Sequence, residues 1–139
     1  MRVNPYLFFG GDCAEAFRHY ERVLGGKIIF SMTYREAPSQ EGCPAGFEDK
    51  IMHTSMEYGG ATLMGSDAPP PHGDPAQFVP IAVSVTVDAP EEADRIFSGL
   101  SEGGKVTMAM AETFWARRFG MATDRFGIQW MVNCPKPMT

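Results

Sequence analysis

One short arrangement occurs twice in this chain: an amphipathic segment, the tripeptide Gly-Gly-Lys and then a β-rich segment. The two tripeptides begin at Gly25 and Gly103, 78 residues apart. Before each one, apolar residues recur at helical spacing, in 16–24 and in 93–100. Because glycine adopts the left-handed conformation that ends a helix, each tripeptide predicts a helix end followed by a strand. A period this long indicates a duplicated module rather than a solenoid repeat.

The second tripeptide also lies within GLSEGGKV, which differs at one position from the phosphate-binding pattern G-x-x-x-x-G-K-[ST]. A phosphate-binding loop follows a strand and opens a helix, so that backbone N–H groups at the helix start meet the anion. Here Gly-Gly-Lys follows a predicted helix, and Val106 has no hydroxyl for Mg²⁺. The sequence therefore argues against a nucleotide-binding loop.

Strand patterns complete the two modules. One strand is predicted before each helix and three after it, at 3–9, 27–35, 50–58 and 61–66 in the first half and at 81–87, 105–110, 119–123 and 128–133 in the second. The chain is therefore predicted to be an α+β protein with two tandem βαβββ modules. These modules occupy 1–66 and 81–139, and a proline-rich linker at 67–80 joins them.

Local signals mark the helix starts and two turns. Asp12 and Asp88 are each followed three residues later by glutamate, the spacing of a capping box, and are predicted to cap the two helices. Gly59-Gly60 predicts a tight hairpin. The segment 124–127 has aspartate first and glycine last, as a type I turn favours.

Composition limits the possible classes of protein. The chain has 139 residues, of which 44% are hydrophobic and 21% charged, as in ordinary globular domains. A net charge of −5 disfavours nucleic acid and anionic membranes as partners. Three cysteines without a C-x-x-C pair disfavour a disulfide framework or a structural zinc site. The apolar runs are too short to span a bilayer and no signal-peptide core is present, so we expect a cytoplasmic protein.

Three stretches of the sequence resemble a known family: PYLFFGGDCAEAFRHYERVLGG at 5–26, KIMHTSMEYGGATLMGSD at 50–67 and FWARRFGMATDRFGIQWMVN at 114–133. Through the order and spacing of these stretches, the chain resembles the vicinal oxygen chelate superfamily, which includes glyoxalase I, extradiol dioxygenases and bleomycin-resistance proteins. Within it, the chain is similar to the PhnB-like branch. The resemblance implies a curved mixed sheet that forms a cup, with the helices outside, and chains that pair as homodimers.

Metal-dependent members of this superfamily carry a ligand, usually His, Gln or Glu, on the first and last strands of each module. The resemblance places these positions near 4–6, Met64, 82–84 and Met131, where no His, Asp or Glu occurs. Because methionine thioethers suit only soft metals, we expect neither the superfamily metal nor another cofactor. The chain also lacks the glycine-rich strand–turn–helix segment of a Rossmann site, so the methyltransferase label often given to this branch has no support in the sequence.

Strand alternation sorts the candidate site residues by face, and the more polar faces are expected to line the cup. His53, Ser55 and Glu57 share one face, and His53 is the candidate general base or ligand contact. Trp115, with Arg117 and Arg118, is suited to hold a planar anionic ligand. The predicted ligand-binding residues are Tyr6, His53, Glu57, Met64, Trp115, Arg118 and Met131.

Three functions fit this sequence. The first is binding of a small organic molecule in the cup, without a metal ion, by a PhnB-like protein. The second is a metal-independent or atypical enzyme, such as a lyase, isomerase or transferase, that uses His53 as its acid–base group. The third is a non-catalytic dimerisation module. The expected partners are a small-molecule ligand and a second copy of the chain, and neither nucleic acid nor membrane.

Overall fold

The computed structural model divides into two compact units, Met1–Phe78 and Val79–Thr139. It describes residues 2–70, 72–73 and 81–137. Each unit has the order strand, helix, three strands, so the predicted α+β class and the duplicated βαβββ plan are confirmed. Most of the predicted linker, at 71 and 74–80, lies outside the described residues. No helix in the described ranges is long and apolar enough to cross a membrane.

The first unit is a four-stranded sheet with one helix packed on it. Its elements are β1 (Tyr6–Phe9), α1 (Cys13–Leu24), β2 (Lys27–Thr33), β3 (Ile51–Tyr58) and β4 (Ala61–Asp67), and the strand order is β1-β4-β3-β2. β1 runs parallel to β4, and the other neighbours are antiparallel. The buried rings of Phe17 and Tyr20 on α1 pack against Phe9 of β1. Phe17 also covers Gly65 of β4, where a Cβ atom would lie 2.6 Å from its ring.

The second unit repeats this plan. Its elements are β5 (Val83–Thr86), α2 (Pro90–Ser101), β6 (Lys105–Ala111), β7 (Ala116–Thr123) and β8 (Gln129–Pro135), and the strand order is β5-β8-β7-β6. Ile96 and Leu100 of α2 are completely buried. Phe97 covers Gly120 of β7, where a Cβ atom would lie 2.9 Å from its ring. In both units we call the sheet surface opposite the helix the helix-free face.

The structure corrects several predicted boundaries. β1 begins at Tyr6 rather than Val3, because the carbonyl oxygen of Pro5 accepts the Met64 N–H that opens the pairing with β4. The N-cap of α2 is Ala89 rather than Asp88, since Pro90 starts the helix and holds the residue before it extended, at ψ 133°. β7 begins at Ala116 rather than Phe119, so Arg117 and Arg118 lie within that strand instead of before it. The hairpin at Gly59-Gly60 and the turn at 124–127 form as predicted.

The two glycines of each Gly-Gly-Lys tripeptide have different roles. Gly25 and Gly103 are both left-handed, with φ of 75° and 73°. Gly25 is the C-cap of α1, whereas α2 has Glu102 as its C-cap, and Gly103 lies in the turn that follows, closed by the hydrogen bond from the Gly104 N–H to the Ser101 oxygen. Gly26 lies against a neighbouring strand, where a Cβ atom would sit 2.8 Å from the carbonyl oxygen of Glu57. Gly104 is crowded in the same way by the backbone of Asp124, at 2.9 Å. The first glycine is therefore required by conformation and the second by the close approach of two backbones.

Each strand after Gly-Gly-Lys contains a bulge at the same place. In β2 the register shifts between Ile28, which pairs with Met56, and Phe30, which pairs with Ser55. In β6 it shifts between Val106 and Met108, which pair with the neighbouring residues Ala122 and Met121. A bulge adds one residue and changes the face that later side chains occupy. Phe30 and Met108 consequently lie on the helix-free faces.

A single buried carboxylate joins the parts of the first unit. Oδ1 of Asp67 accepts hydrogen bonds from the N–H groups of Gly11 at 2.8 Å and Cys13 at 3.0 Å, and Oδ2 accepts one from Ile51 at 2.9 Å. Its backbone oxygen accepts a bond from Tyr34 Oη. Burial first, and then the charges of Asp67 and Asp12, raise the pKa of the Cys13 thiol. Asp67, at 1% exposure, thus caps α1 and holds the start of β3.

This arrangement corrects the predicted capping box. Asp12 does occupy the N-cap position, and its backbone oxygen accepts the first helical hydrogen bond from Ala16. Its side chain makes no capping hydrogen bond. Asp67, which the sequence reading placed at the start of the linker, is the last residue of β4 and supplies the carboxylate instead.

The second unit has a buried aspartate of its own, in the turn between β7 and β8. Oδ1 of Asp124 accepts hydrogen bonds from the N–H groups of Phe126 and Ile128, and Oδ2 accepts one from Trp130 Nε1 at 2.8 Å. The carboxylate fixes the turn and anchors the fully buried indole of Trp130. Trp130 is thus a core residue.

Replacing Asp67 with alanine or asparagine is expected to destabilise the first unit strongly. Alanine leaves three buried N–H groups without an acceptor, and asparagine turns an N–H group toward at least one of these donors. A loss of about 3 kcal/mol or more in the free energy of unfolding follows, measured by urea denaturation. The exposed Asp49, paired with Arg35, provides the control, since Asp49→Asn should leave the urea midpoint almost unchanged. An unchanged midpoint for Asp67→Asn would contradict this role.

Candidate functional site

The helix-free face of the first sheet gathers three of the predicted site residues. Tyr6 of β1 pairs with Met64 of β4, so both side chains emerge on the same face. Met64 pairs in turn with Ser55 of β3, and His53 lies two residues before Ser55 on that face. The register therefore brings Tyr6, His53 and Met64 to one face.

Tyr6 and His53 are joined directly. Tyr6 Oη lies 2.9 Å from His53 Nδ1, and the two rings are stacked with their centroids 5.6 Å apart. Among the described residues, Tyr6 is the hydrogen-bond partner of His53, and the bond occupies one of the two ring nitrogens. Nε2 is thus left for a molecule that approaches the face.

Phe8 and Phe30 extend this pair into an aromatic surface. The Phe8 ring lies 5.3 Å from that of Tyr6, and the Phe30 ring lies 5.8 Å from that of His53. Tyr6, Phe8 and Phe30 are 37%, 45% and 45% exposed, which is high for rings that touch one another. We call the set Tyr6, Phe8, Phe30 and His53 the aromatic platform.

Sequence reasoning missed Phe30 as a site residue. Strict alternation from Lys27 would put Phe30 on the helix side together with Ile28. The bulge between Ile28 and Phe30 reverses this and sets Phe30 opposite Ser55. The sequence of Lys27–Thr33 gives no indication of a bulge, because the strand contains no glycine. The bulge at the same position in β6 would help to predict the one in β2 only if one of the two bulges were already known.

Small polar residues lie between the rings of the platform. Ser55 separates Phe30 from Met64 in one cross-strand row, and Ser66 pairs with Phe8. Both serines are buried, although they lie on the helix-free face. Short side chains flanked by larger ones form a recess, and the two hydroxyls supply polar atoms at its base.

Two further residues border the platform. Glu57 is exposed on the same face as His53, two residues beyond Ser55, where it pairs with Lys27 and Thr62. His53 and Glu57 thus share a face, and the hydrogen bond of His53 is made with Tyr6. The exposed His72 has its ring 5.6 Å from that of Phe8.

The helix-free face of the second sheet is rich in methionine. Met108, Met121 and Met131 stand directly opposite one another on β6, β7 and β8, and Met131 pairs with Ser84 of β5. Trp115, just before β7, packs edge-on against Phe119 with the ring centroids 5.4 Å apart. Two predicted site residues, Met131 and Trp115, thus belong to the second unit.

Arg118 lies on the opposite side of this sheet. It pairs with the fully buried Cys134, and its Nε donates to Asp94 Oδ1 of α2 at 2.9 Å. Arg117 donates through Nη2 to the backbone oxygen of Asp88. Both guanidinium groups are therefore engaged with the protein, and this placement gives no support to the prediction that Trp115 and Arg118 hold one ligand together.

The positions that the resemblance assigned to metal ligands, near 4–6, Met64, 82–84 and Met131, include two cross-strand pairs. Tyr6 pairs with Met64 in the first sheet, and Ser84 pairs with Met131 in the second. A phenol, a hydroxyl and two thioethers do not fit a hard divalent ion, which prefers carboxylate or imidazole donors. No group of three or more His, Cys, Asp or Glu residues suited to a metal occurs in the described part of the chain.

Comparisons with known proteins agree with this architecture. The chain is 36% identical over 144 residues to Protein YjdN of Escherichia coli K12, covering 98% of this chain and 97% of that protein. The solved structure of protein PA1353 from Pseudomonas aeruginosa has a TM-score of 0.86 and 42% identity, with 96% and 97% of the two chains covered. A PhnB protein from Bacillus cereus, named a putative 3-demethylubiquinone-9 3-methyltransferase, has a TM-score of 0.78 at 23% identity, with 96% and 98% covered, and shows the shared fold.

The family assignment rests on nearly the whole chain. A sequence model of the Glyoxalase/Bleomycin resistance protein/Dioxygenase superfamily matches residues 2–132. Both βαβββ units lie within or overlap this range, and the resemblance read from the sequence is thereby confirmed. The chain belongs to the Glyoxalase/Bleomycin resistance protein/Dioxygenase superfamily and is a YjdN-like member of it.

Proposed function

We propose that the protein binds a small organic molecule on the aromatic platform of the first sheet, without the superfamily metal. The observation that carries the proposal is the hydrogen bond between Tyr6 and His53 inside a cluster of exposed rings. Ligand sites combine a large apolar surface with a few polar groups that fix orientation. Here Phe8 and Phe30 supply the surface, and His53, held by Tyr6, supplies the polar group.

The exposure of the platform supports this reading. Aromatic side chains gain most of their stabilising effect from burial, so rings left 37–45% exposed in contact with one another forgo part of that gain. Contiguous exposed apolar surface commonly marks a binding site. A planar aromatic molecule would stack on Phe8 or Phe30 and place an oxygen or nitrogen at His53 Nε2.

The donor chemistry of the metal-ligand positions supports binding without metal. Tyr6 and Met64 take the two positions in the first sheet, and Tyr6 already shares its hydroxyl with His53. A ligand that contacts the rings would depend on stacking and one hydrogen bond rather than on coordination. The superfamily name itself includes resistance proteins as well as dioxygenases, so binding and catalysis are both represented among relatives.

Phe30→Ala is expected to weaken binding of any ligand found on the platform by about tenfold, because one stacking surface is lost. The ligand is sought by thermal-shift screening of aromatic and heteroaromatic compounds, with Zn²⁺, Ni²⁺ and Mn²⁺ in parallel wells. A compound at 100 times its Kd adds about 2.7 kcal/mol of stability. Calorimetry then compares the native chain with the variant.

Ile81→Ala is the control, since Ile81 is 72% exposed and lies outside both the platform and the outer strands. Its affinity should equal that of the native chain. Equal affinity for Phe30→Ala would contradict the platform as the site. Near one divalent metal ion per chain in purified protein, or stabilisation by metal alone, would contradict binding without metal.

The Tyr6–His53 hydrogen bond also favours a second candidate function, acid–base catalysis. A histidine fixed through one ring nitrogen can exchange a proton with a bound substrate through the other. Exchange of a substrate C–H proton with D₂O, followed by NMR, would reveal such a reaction. His53→Gln is then expected to lower kcat by about 10² to 10⁴. An unchanged rate in His53→Gln would leave His53 as a binding group and exclude this function.

Pairing of two chains is the third element of the proposal. β2 and β6 end their sheets and expose Ile29 at 51% and Val106 at 47%. Exposed apolar residues on outer strands suit a symmetric homodimer. Sedimentation velocity should therefore give the mass of two chains. Ile29→Glu combined with Val106→Glu should give that of one, whereas Ile81→Glu, at a 72% exposed position outside these strands, should not. A native monomer would refute the pairing.

A further inference from the structure

The chain that follows β4 folds back against the end of β1. The Ala68 N–H donates a hydrogen bond to the Phe9 oxygen at 2.7 Å, and the Gly73 N–H donates one to the Pro69 oxygen at 3.3 Å. Gly73 is buried, and a Cβ atom there would lie 2.5 Å from the Phe9 oxygen. A Cβ atom at Gly10 would lie 2.5 Å from the Gly73 oxygen. Two glycines thus let the backbone after β4 touch the backbone after β1.

This contact places the imidazole of His72 beside the aromatic platform. Its ring centroid lies 5.6 Å from that of Phe8, although the residue is exposed. His53 shares Nδ1 with Tyr6 Oη, whereas His72 has no hydrogen bond to any residue that the structure describes. Both ring nitrogens of His72 are therefore available to a molecule that lies on the platform.

Four rings form a continuous series of contacts with an imidazole at each end. The Tyr6 centroid lies 5.6 Å from that of His53 and 5.3 Å from that of Phe8, and His72 follows Phe8. Tyr6 and Phe8 are alternate residues of β1, so both point to the helix-free face. A molecule that contacts both imidazoles must cover the two rings between them, which requires the length of about two fused aromatic rings.

We propose that His72 is a second polar contact for the ligand of the aromatic platform, an inference that rests on the proposed function. The ligand is a flat bicyclic aromatic molecule with an acidic oxygen group, such as a carboxylate, at each end. Its apolar body lies across Tyr6 and Phe8, and His53 and His72 each donate a hydrogen bond to one end.

The hydrogen bonding of the two imidazoles explains the choice of acceptor groups. When the Tyr6 hydroxyl donates to Nδ1 of His53, Nε2 carries the ring proton and is a donor toward the ligand. His72 carries an N–H group in either tautomer. A carboxylate accepts from such donors more strongly than a neutral oxygen does. Two imidazoles at the ends of an apolar surface therefore favour a diacid.

Naphthalene-2,6-dicarboxylate and 2-naphthoate test both the length and the two ends, because they share a ring system and differ by one carboxylate. In NMR titrations of the ¹⁵N-labelled native chain, the dicarboxylate should bind about tenfold more tightly, the effect of one hydrogen bond to a charged group. The ring resonances of both His53 and His72 should shift as the dicarboxylate is added.

His72→Phe keeps a ring beside Phe8 and removes both nitrogens. The variant should bind the dicarboxylate about tenfold more weakly than the native chain does. Its affinity for 2-naphthoate should change by no more than about twofold, because the single carboxylate still reaches His53. The unfolding temperature should stay the same, since His72 is exposed and has no hydrogen bond to a described residue.

The results distinguish this inference from the proposed function. Equal affinity of the native chain for the two acids would overturn the role of His72, and so would a preference for the dicarboxylate that persists in His72→Phe. In either case, binding of 2-naphthoate that Phe30→Ala weakens would still support the platform. Binding of neither acid would also overturn the inference, and the thermal-shift screen would then test the proposed function by itself.

Discussion

The first unit depends on one carboxylate that accepts hydrogen bonds from three backbone N–H groups. Asp67 is contributed by the last strand of the unit, yet it caps the helix that follows the first strand and fixes the start of the third. Its ladder partner is Phe9, whose ring forms the core with Phe17 and Tyr20. The same contact that closes the core therefore aligns β1 with β4. That alignment in turn sets Tyr6 beside Met64 on the helix-free face.

The fold was predictable because its main signals are local. α1 ends at a left-handed glycine, the β3–β4 and β7–β8 hairpins have short turns, and each helix has an apolar stripe, and all three are visible in a few neighbouring residues. The incorrect predictions concern features that depend on residues distant in the sequence. Asp12 has the spacing of a capping box, but the carboxylate that bonds Cys13 N lies 54 positions further along the chain. Likewise, β1 is shortened by its parallel partner and not by its own sequence.

The candidate site was predictable only in part, for a similar reason. Alternation places His53 on a face, but it does not say which residue of another strand lies opposite. Tyr6 and Met64 were named because the duplicated plan fixes their strands, whereas Phe30 was not. Phe30 reaches the platform through a bulge, and the residue type of Phe30 gives no sign of one. Arg118 shows the converse, since a basic residue beside a tryptophan looked suited to a ligand and instead pairs with Asp94.

The bulges near the starts of β2 and β6 affect more than the direction of the side chains that follow them. β2 and β6 are the last strands of their sheets, and a regular last strand offers an unpaired row of N–H and C=O groups to any other β-strand. An extra residue near the start of each strand interrupts that row and increases its local twist. Strand-to-strand addition, the first step toward fibrillar aggregation, is thereby hindered at both free edges. The bulges that set Phe30 and Met108 on the helix-free faces therefore also limit backbone pairing of these strands with strands of other chains, while side-chain contacts between the strands stay possible.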